Sequence, residues 1–164
     1  MALTPYCETA EVRAALGVNA KELPDVVLNL PIYAIGLMRE LSKLAPSLPA
    51  TFLIIADKAL ADRSALETAL FDATRLFSPY ATARQAGVGL ASFMPKDVGD
   101  GKATISRFSD APYKETMARV EAMFQAARGS LVATLAGYSG GNAPVAAAFT
   151  GFLVSSRAYD PVTG

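Results

Sequence analysis

The sequence predicts a mainly α protein, a small helical bundle with two long antiparallel helices, a long central loop and an extended C-terminal tail. Apolar residues recur at three- and four-residue spacing over residues 64–86 and 112–136, which is the periodicity of an amphipathic helix. A single connection, residues 93–109, joins the two stretches and contains several turn formers. We therefore divide the chain into a helical domain, residues 1–138, and a tail, residues 139–164.

The N-terminal residues predict a short helix followed by a turn. Thr9 is a suitable N-cap, because its hydroxyl can accept a bond from a free backbone N–H of the first turn. Gly17 follows the last apolar residue and is expected to end the helix. Asn19 is expected to cap a second, shorter turn.

A third helix is predicted to begin at Pro31, because proline lacks an N–H and the first helical position needs none. Its apolar residues recur every four positions: Tyr33, Leu37, Leu41 and Leu44. We expect this helix to end before Pro46, and Pro46 and Pro49 to bracket a loop.

The first long helix is predicted to begin at Asp62 or Ser64. Its expected core face comprises Leu66, Leu70, Ala73, Phe77 and Tyr80. Pro79 lies within this pattern and should kink the helix near the preceding turn. Gly87 and Gly89 are expected to close it.

The second long helix is predicted to start after a cap at Ser109 or Asp110 and to end at Gly137. Its apolar stripe is the most regular in the chain: Tyr113, Met117, Val120, Phe124, Ala127, Leu131 and Leu135. In the preceding connection, apolar and polar residues alternate over residues 103–108, which is compatible with one short strand.

The composition disfavours several classes of function. Fifteen basic and fifteen acidic residues give a formal net charge of zero, whereas a dedicated nucleic-acid binder usually carries a basic excess. The chain has no histidine and a single cysteine, Cys7, which removes the commonest general base and excludes an internal disulfide or a zinc site built from Cys and His within one chain. We expect Cys7 to have no functional role.

No catalytic motif is complete. The Gly87-Val88-Gly89 stretch follows no predicted strand, so it does not match a dinucleotide-binding loop. We therefore assign no catalytic, cofactor-binding or metal-binding residue and expect a protein that is not an enzyme. The start of the chain has no signal-peptide pattern and no apolar run is long enough to span a membrane, so we expect a soluble protein made in the cytoplasm.

The C-terminal part is unusually apolar for a tail. No charged residue occurs from Gly129 to Ser156, although disordered tails are normally rich in charge. Its large apolar residues are expected to bury themselves, either on the same domain or on a neighbouring subunit: Phe149, Phe152, Leu153 and Tyr159. A hydrophobic fraction of 52% beside 18% charged residues also suggests surface to be covered, by a subunit interface or as a sticky patch.

Several local motifs resemble one known family. The chain contains Thr-x-Glu-Val-Arg in the first helix, Arg-Leu-Phe-x-x-Tyr-Ala-x-Ala-Arg-Gln over residues 75–85, and Asp-Gly-Lys-Ala over residues 100–103 followed by Arg107-Phe108. In this order, over roughly residues 9–136, they resemble the head–tail adaptor (connector, or head-completion) proteins of tailed bacteriophages. Related proteins occur in prophages and gene-transfer agents. The ending over residues 159–164 is also similar.

The resemblance implies a structural protein of the virion, at the head–tail interface. It implies a twelve-fold homo-oligomeric ring beneath the portal protein, which extends the DNA channel and presents a surface to the next neck or tail-completion protein. Passing DNA would be contacted without sequence specificity, and no membrane, cofactor or catalytic residue is implied. Family members embed an extended tail or loop in neighbouring subunits.

We predict eight partner-binding residues in the central loop and the tail: Lys96, Lys102, Arg107, Phe108, Phe149, Phe152, Leu153 and Tyr159. For Lys96, Lys102 and Arg107 in the central loop, the alternative is that these charges are simply solvated. For the whole chain, the alternatives are a small helical enzyme or cofactor-binding domain and a cytoplasmic helical interaction module. The missing acid–base machinery weighs against the enzyme.

Overall fold

The computed structural model describes residues 3–93, 97–99, 104–106 and 110–139, and over these residues the protein is mainly helical, as predicted. The helices are α1 (Thr9–Leu16), α2 (Asp25–Leu28), α3 (Pro31–Leu44), α4 (Leu48–Asp57), a 3-10 turn (Leu60–Asp62), α5 (Ala65–Phe93) and α6 (Asp110–Tyr138). Two short strands, β1 (Asp97–Gly99) and β2 (Thr104–Ser106), lie between the long helices and pair antiparallel, with Val98 opposite Ile105. We predicted one strand in this connection.

The two long helices pack antiparallel, which confirms the predicted arrangement. The Phe77 ring lies 5.3 Å from the Phe124 ring, centroid to centroid. Further along α5 and earlier along α6, the Tyr113 hydroxyl donates to the Gly87 carbonyl at 2.6 Å. Contacts therefore advance along α5 as they go back along α6. The α5 helix is the main scaffold, because α1, α3 and α4 all pack on it, and α1 also contacts α6.

The first helix begins one residue earlier than predicted. Glu8 is the N-cap rather than Thr9, and its backbone N–H donates to the Glu11 carboxylate at 2.6 Å. A carboxylate near the N-terminus of a helix is favoured because it accepts from free N–H groups and opposes the helix dipole. Gly17 ends the helix as predicted, with a left-handed φ of 68° that glycine adopts without steric cost.

The prediction of a loop bracketed by Pro46 and Pro49 is wrong, because residues after Pro46 form α4. Pro49 occupies the first turn of that helix, where a missing N–H breaks no helical bond. Leu48, Phe52 and Ile55 are buried at four- and three-residue spacing.

The first long helix begins after Ser64, as predicted. The Glu67 N–H donates to the Ser64 hydroxyl at 3.2 Å, and the Ser64 N–H donates to the Glu67 carboxylate at 2.8 Å. The predicted end at Gly87 and Gly89 is wrong, since α5 continues through both and through Pro79 to Phe93. Leu66 was assigned to the core face but is 53% exposed, because it lies in the first turn of α5.

Gly87 serves close packing rather than termination. A β-carbon at this position would lie 2.5 Å from the Met117 sulfur and 3.4 Å from Leu16 Cδ2. Glycine thus lets α6 and the end of α1 approach α5 closely. The second long helix, α6, similarly continues past its predicted end at Gly137 and ends at Tyr138.

The five core residues that the stripes predict most directly are buried: Leu70, Phe77, Val120, Phe124 and Leu131. Three buried hydroxyl residues, Thr74, Ser78 and Thr82, follow one another at four-residue spacing on α5. Thr74 donates to the Leu70 carbonyl at 2.8 Å and Ser78 to the Thr74 carbonyl at 2.7 Å, so these two hydroxyls are satisfied within the helix, whereas the Thr82 hydroxyl lies 3.9 Å from the Cys7 sulfur.

Candidate interaction surface

All eight predicted partner-binding residues lie outside the residues that the structure describes: Lys96, Lys102, Arg107, Phe108, Phe149, Phe152, Leu153 and Tyr159. The assignments to the central loop and to the tail therefore stay predictions. The described residues offer other candidate surfaces, which lie on the helices.

The Cys7 thiol is fully buried against α5, with its sulfur 3.9 Å from the Thr82 hydroxyl oxygen. Burial, which disfavours the thiolate, raises the pKa of Cys7 to about 11. A nucleophilic or metal-binding cysteine must be deprotonated, so this thiol is poorly suited to either role at neutral pH. Within residues 3–93, 97–99, 104–106 and 110–139, no group of three or more Cys, Asp or Glu side chains is placed to hold a metal ion.

Two residues of the Arg-Leu-Phe motif over residues 75–85 hold neighbouring segments in place. The Arg75 guanidinium donates to the Pro5 carbonyl at 3.0 Å and to the Glu11 carboxylate at 2.9 Å, which ties the N-terminal segment and α1 to α5. The Arg84 guanidinium lies 4.7 Å from the centre of the Phe124 ring and pairs with Glu121 at 2.8 Å. These contacts fix the position of α1 and α6 on α5.

A groove runs where α1 crosses α5 and α6, and we call it the α1 groove. It consists of two open depressions of about 480 and 250 Å³ that share Ala14, Ala15 and Tyr80. The remaining lining residues are Glu11, Arg75, Leu76, Pro79, Arg119, Val120 and Met123. The groove exists because α1 directs Val12 and Leu16 into the core, and the side chains that it presents between Glu11 and the end of the helix are only those of Ala14 and Ala15.

The rim of the α1 groove is apolar and accessible. Leu76 on α5 is 50% exposed and Met123 on α6 is 42% exposed. Both residues lie off the buried stripes of their helices, which face the α5–α6 contact. Apolar side chains gathered around a concave surface are typical of a binding site for another chain.

The two ends of the α1 groove differ in charge. At one end, Arg75 and Glu11 neutralise each other. At the other, the Arg119 guanidinium forms no ion pair within the described part of the chain and lies near the end of α1, 3.6 Å from where a β-carbon on Gly17 would be. The groove therefore offers a free positive charge beside an apolar floor.

A second apolar surface lies on α2 and the start of α3. Its exposed residues are Val26, Leu30, Ile32 and Ile35, which are between 47 and 79% exposed. Ile32 and Ile35 are three residues apart, so they share the face of α3 opposite the buried Ala34 and Leu37.

Sequence reasoning did not identify either surface. The available signal was apolar residues that fall outside the core stripes, such as Leu76, Met123 and Ile35. That signal is weak, because single exposed apolar residues are common on protein surfaces. Only their clustering in space distinguishes them.

Comparison of the chain with known protein families, with curated proteins and with solved structures finds no match. None of the helices that the structure describes is both long and apolar enough to cross a membrane.

Proposed function

We propose that this protein is a structural, non-enzymatic subunit that assembles into a ring between the portal of a phage head and the tail, where it extends the DNA channel. The observation that supports this best is the amount of exposed apolar surface on a single copy. In the described residues, eleven large apolar side chains are between 42 and 79% exposed. Several of them cluster on the α1 groove and on α2–α3, as expected for a subunit that is covered on more than one side.

The motifs that resemble the head–tail adaptors support the more specific proposal of a phage neck protein. Residues 75–85 lie in α5, where Arg75 and Arg84 lock α1 and α6 onto this helix. A formal net charge of zero suits a channel wall that DNA passes without being held. The proposed partners are a second copy of the chain, the portal protein and the next neck or tail-completion protein, in a ring of twelve copies within the virion.

The central test is the size of the full-length protein in solution. Multi-angle light scattering of the chain, alone and mixed with portal protein, should reveal a closed ring or a stoichiometric complex with the portal, and electron microscopy should show its symmetry. A protein that stays monomeric up to high concentration and does not bind portal protein would contradict the proposal. A cytoplasmic interaction module would give that result.

The central loop is proposed to face the assembly. Reversing the charges of Lys102 and Arg107 together should weaken ring or particle assembly and leave helix content by circular dichroism unchanged. Reversing Lys21 and Arg39, which are exposed and form no ion pair within the described residues, is a matched control for the change in net charge. Equal assembly by the loop variant and the control would argue against a role for the loop charges.

The tail is proposed to dock on a partner subunit through Phe149, Phe152, Leu153 and Tyr159. Burying side chains of this size contributes roughly 1.5–3 kcal/mol each, against an ordering cost of about 1–2 kcal/mol per residue, so backbone hydrogen bonds to the partner are needed as well. Deletion of residues 144–164 should leave a folded protein that no longer enters the particle. Unfolding of the shortened chain, or its normal assembly, would contradict this.

A further inference from the structure

We propose that the α1 groove of one copy of this chain receives the α2–α3 surface of the next copy, so that successive copies associate head to tail through two different faces. The α2–α3 surface is the one formed by Val26, Leu30, Ile32 and Ile35. This inference rests on the proposed function, because it presumes that copies of the chain associate. It adds which two surfaces of the helical domain meet in that association.

The two surfaces lie on opposite sides of α5. Leu76 on α5 is at the rim of the groove. Gln85 on the same helix packs against α3, because a β-carbon on Gly36 would clash with the Gln85 side-chain amide. Nine residues separate Leu76 from Gln85, which is roughly two and a half helical turns, so their side chains leave α5 in opposite directions. The groove and α3 are therefore on different faces of the subunit.

The same separation holds around α1. Ala15 lines the groove, whereas Arg13 pairs with Asp25 at the start of α2. Arg13 and Ala15 are two positions apart, which is about 200° around the helix axis, so their side chains leave α1 on nearly opposite sides. Each copy therefore presents the groove on one side of α1 and the α2–α3 surface on the other, and it cannot bring its own two surfaces together.

Contact between two different faces allows further copies to add. A face that pairs with itself gives a closed dimer. A groove that receives a different face leaves one free groove and one free α2–α3 surface at the two ends of the pair. Such an array closes into a ring when the rotation between neighbours is a whole fraction of a turn. The proposed ring requires a contact of this kind.

Charge favours this pairing over contact of the groove with itself. Arg119 at the groove is exposed and forms no ion pair within the described part of the chain, so two grooves face to face would bring two unpaired cations together. Residues 24–38 include one charged residue, Asp25, which is already paired with Arg13. Covering the α2–α3 surface therefore removes no unpaired charge from water. Arg119 lies at the end of the groove, where its long side chain can keep the guanidinium in water.

The two surfaces also match in polarity and shape. Val26 is 79% exposed and so projects from its surface, while the groove has open depressions of about 480 and 250 Å³. Apolar side chains that fill apolar depressions are typical of the centre of a protein interface. Of the eleven large apolar side chains that are exposed in the described residues, six would be covered by this one contact: Val26, Leu30, Ile32, Ile35, Leu76 and Met123.

Thiol cross-linking in the full-length chain tests the contact. Ala14→Cys places a thiol in the groove and Val26→Cys places one on the α2–α3 surface, and both positions are exposed. Cys7 is fully buried, so it is expected not to react in the folded protein. With both substitutions in one chain, a short bismaleimide linker should join successive copies into a ladder on a denaturing gel, and each single variant should give none. Ala14→Cys with Ala133→Cys is the control, since Ala133 is exposed on α6, roughly 15 Å beyond Met123.

Introduced charges test the same surfaces without a linker. Val26→Asp and Leu76→Asp should each raise the concentration needed for half-assembly, measured by light scattering, roughly tenfold or more, because an unpaired carboxylate would lose water in the contact. Leu60→Asp is the matched control, since Leu60 is 72% exposed outside both surfaces, and it should leave association unchanged. All three positions are exposed, so helix content by circular dichroism should stay that of the parent chain.

A ladder that needs both cysteines, together with weaker association of the two aspartate variants, supports the inference. Linked dimers from Val26→Cys alone or from Ala14→Cys alone would overturn it, because one surface would then pair with itself. Rings that give no such links, and that Val26→Asp and Leu76→Asp leave as stable as Leu60→Asp does, also overturn it but leave the proposed function standing. If light scattering detects no association of copies, alone or with portal protein, the proposed function fails and this inference with it.

Discussion

Truncation of Phe124 to alanine tests whether the α5–α6 contact stabilises the fold. Phe124 is only 2% exposed. Its ring packs at a tilt of 40° against Phe77, with 5.3 Å between centroids, and the Arg84 guanidinium covers it at 4.7 Å. The substitution removes the buried ring, its contact with Phe77 and its cation–π contact with Arg84, in the middle of the interface between the two longest helices.

The expected loss in the free energy of unfolding is about 4–5 kcal/mol. Phe→Ala in a core costs about 3–5 kcal/mol. The aromatic pair and the cation–π contact, worth about 0.5–1.5 and 0.5–1 kcal/mol, are part of that cost and place Phe124 in the upper half of the range. Phe124→Leu keeps most of the volume but loses both ring contacts, so it should cost about 1–2.5 kcal/mol.

Urea unfolding followed by circular dichroism measures both values, at protein concentrations where light scattering shows one species. Met123→Ala is the matched control on the same helix, because Met123 is 42% exposed, and it should change stability by less than about 1 kcal/mol. A loss below about 1 kcal/mol for Phe124→Ala would refute the reasoning that this interface stabilises the fold.

Three further predictions concern single sites. Gly129→Ala should stabilise the protein by about 0.5–1 kcal/mol, because Gly129 is within α6 and nothing lies within 4 Å of its added methyl, whereas Gly17→Ala should destabilise it because φ is 68° there; urea unfolding that gives both changes the same sign would contradict this. Cys7 should resist alkylation at pH 8 and react only as the protein unfolds, since burial raises its pKa to about 11; rapid labelling of the folded protein would disprove the assignment. The hydrogen bond from Lys58 lowers the pKa of Glu67 below its ordinary value of 4.5, so the stability it contributes is present above that pH and is lost as the pH falls. Glu67→Gln should therefore lower Tm more at pH 7 than at pH 3, and an equal effect at both would contradict the ion pair.

The spacing of apolar residues within one segment predicted the helices that bury one face along their length. The stripe from Tyr113 to Leu135 located α6, and the four-residue spacing after Pro31 located α3. These predictions succeeded because an amphipathic helix must repeat its apolar positions in the sequence to bury one face. The end of α1 at Gly17 was also predictable from local sequence, because a left-handed helix cap favours a residue without a β-carbon.

Predictions failed where a residue type has two roles that local sequence does not separate. Gly87 was interpreted as a helix end, but the approach of Met117 to α5 requires it inside the helix. Pro49 was interpreted as part of a loop, although it sits in the first turn of α4, and the Tyr6 hydroxyl donates to its carbonyl at 2.9 Å. For Gly87 the deciding contact comes from Met117, far away in the chain. For Pro49 the spacing of the buried Leu48, Phe52 and Ile55 was a local signal of the helix that the prediction did not use.

The sequence by itself determined the helical class, the two long helices and their core faces, because these depend on spacing within one segment. Only the tertiary structure decided the α1 groove. Its lining comes from three segments, residues 11–15, 75–80 and 119–123, which meet because Val12, Leu16 and Arg75 hold α1 across the long helices. No pattern in the sequence links Ala14, Leu76 and Met123. They form one surface only because the packing of α1 brings them together and leaves them uncovered.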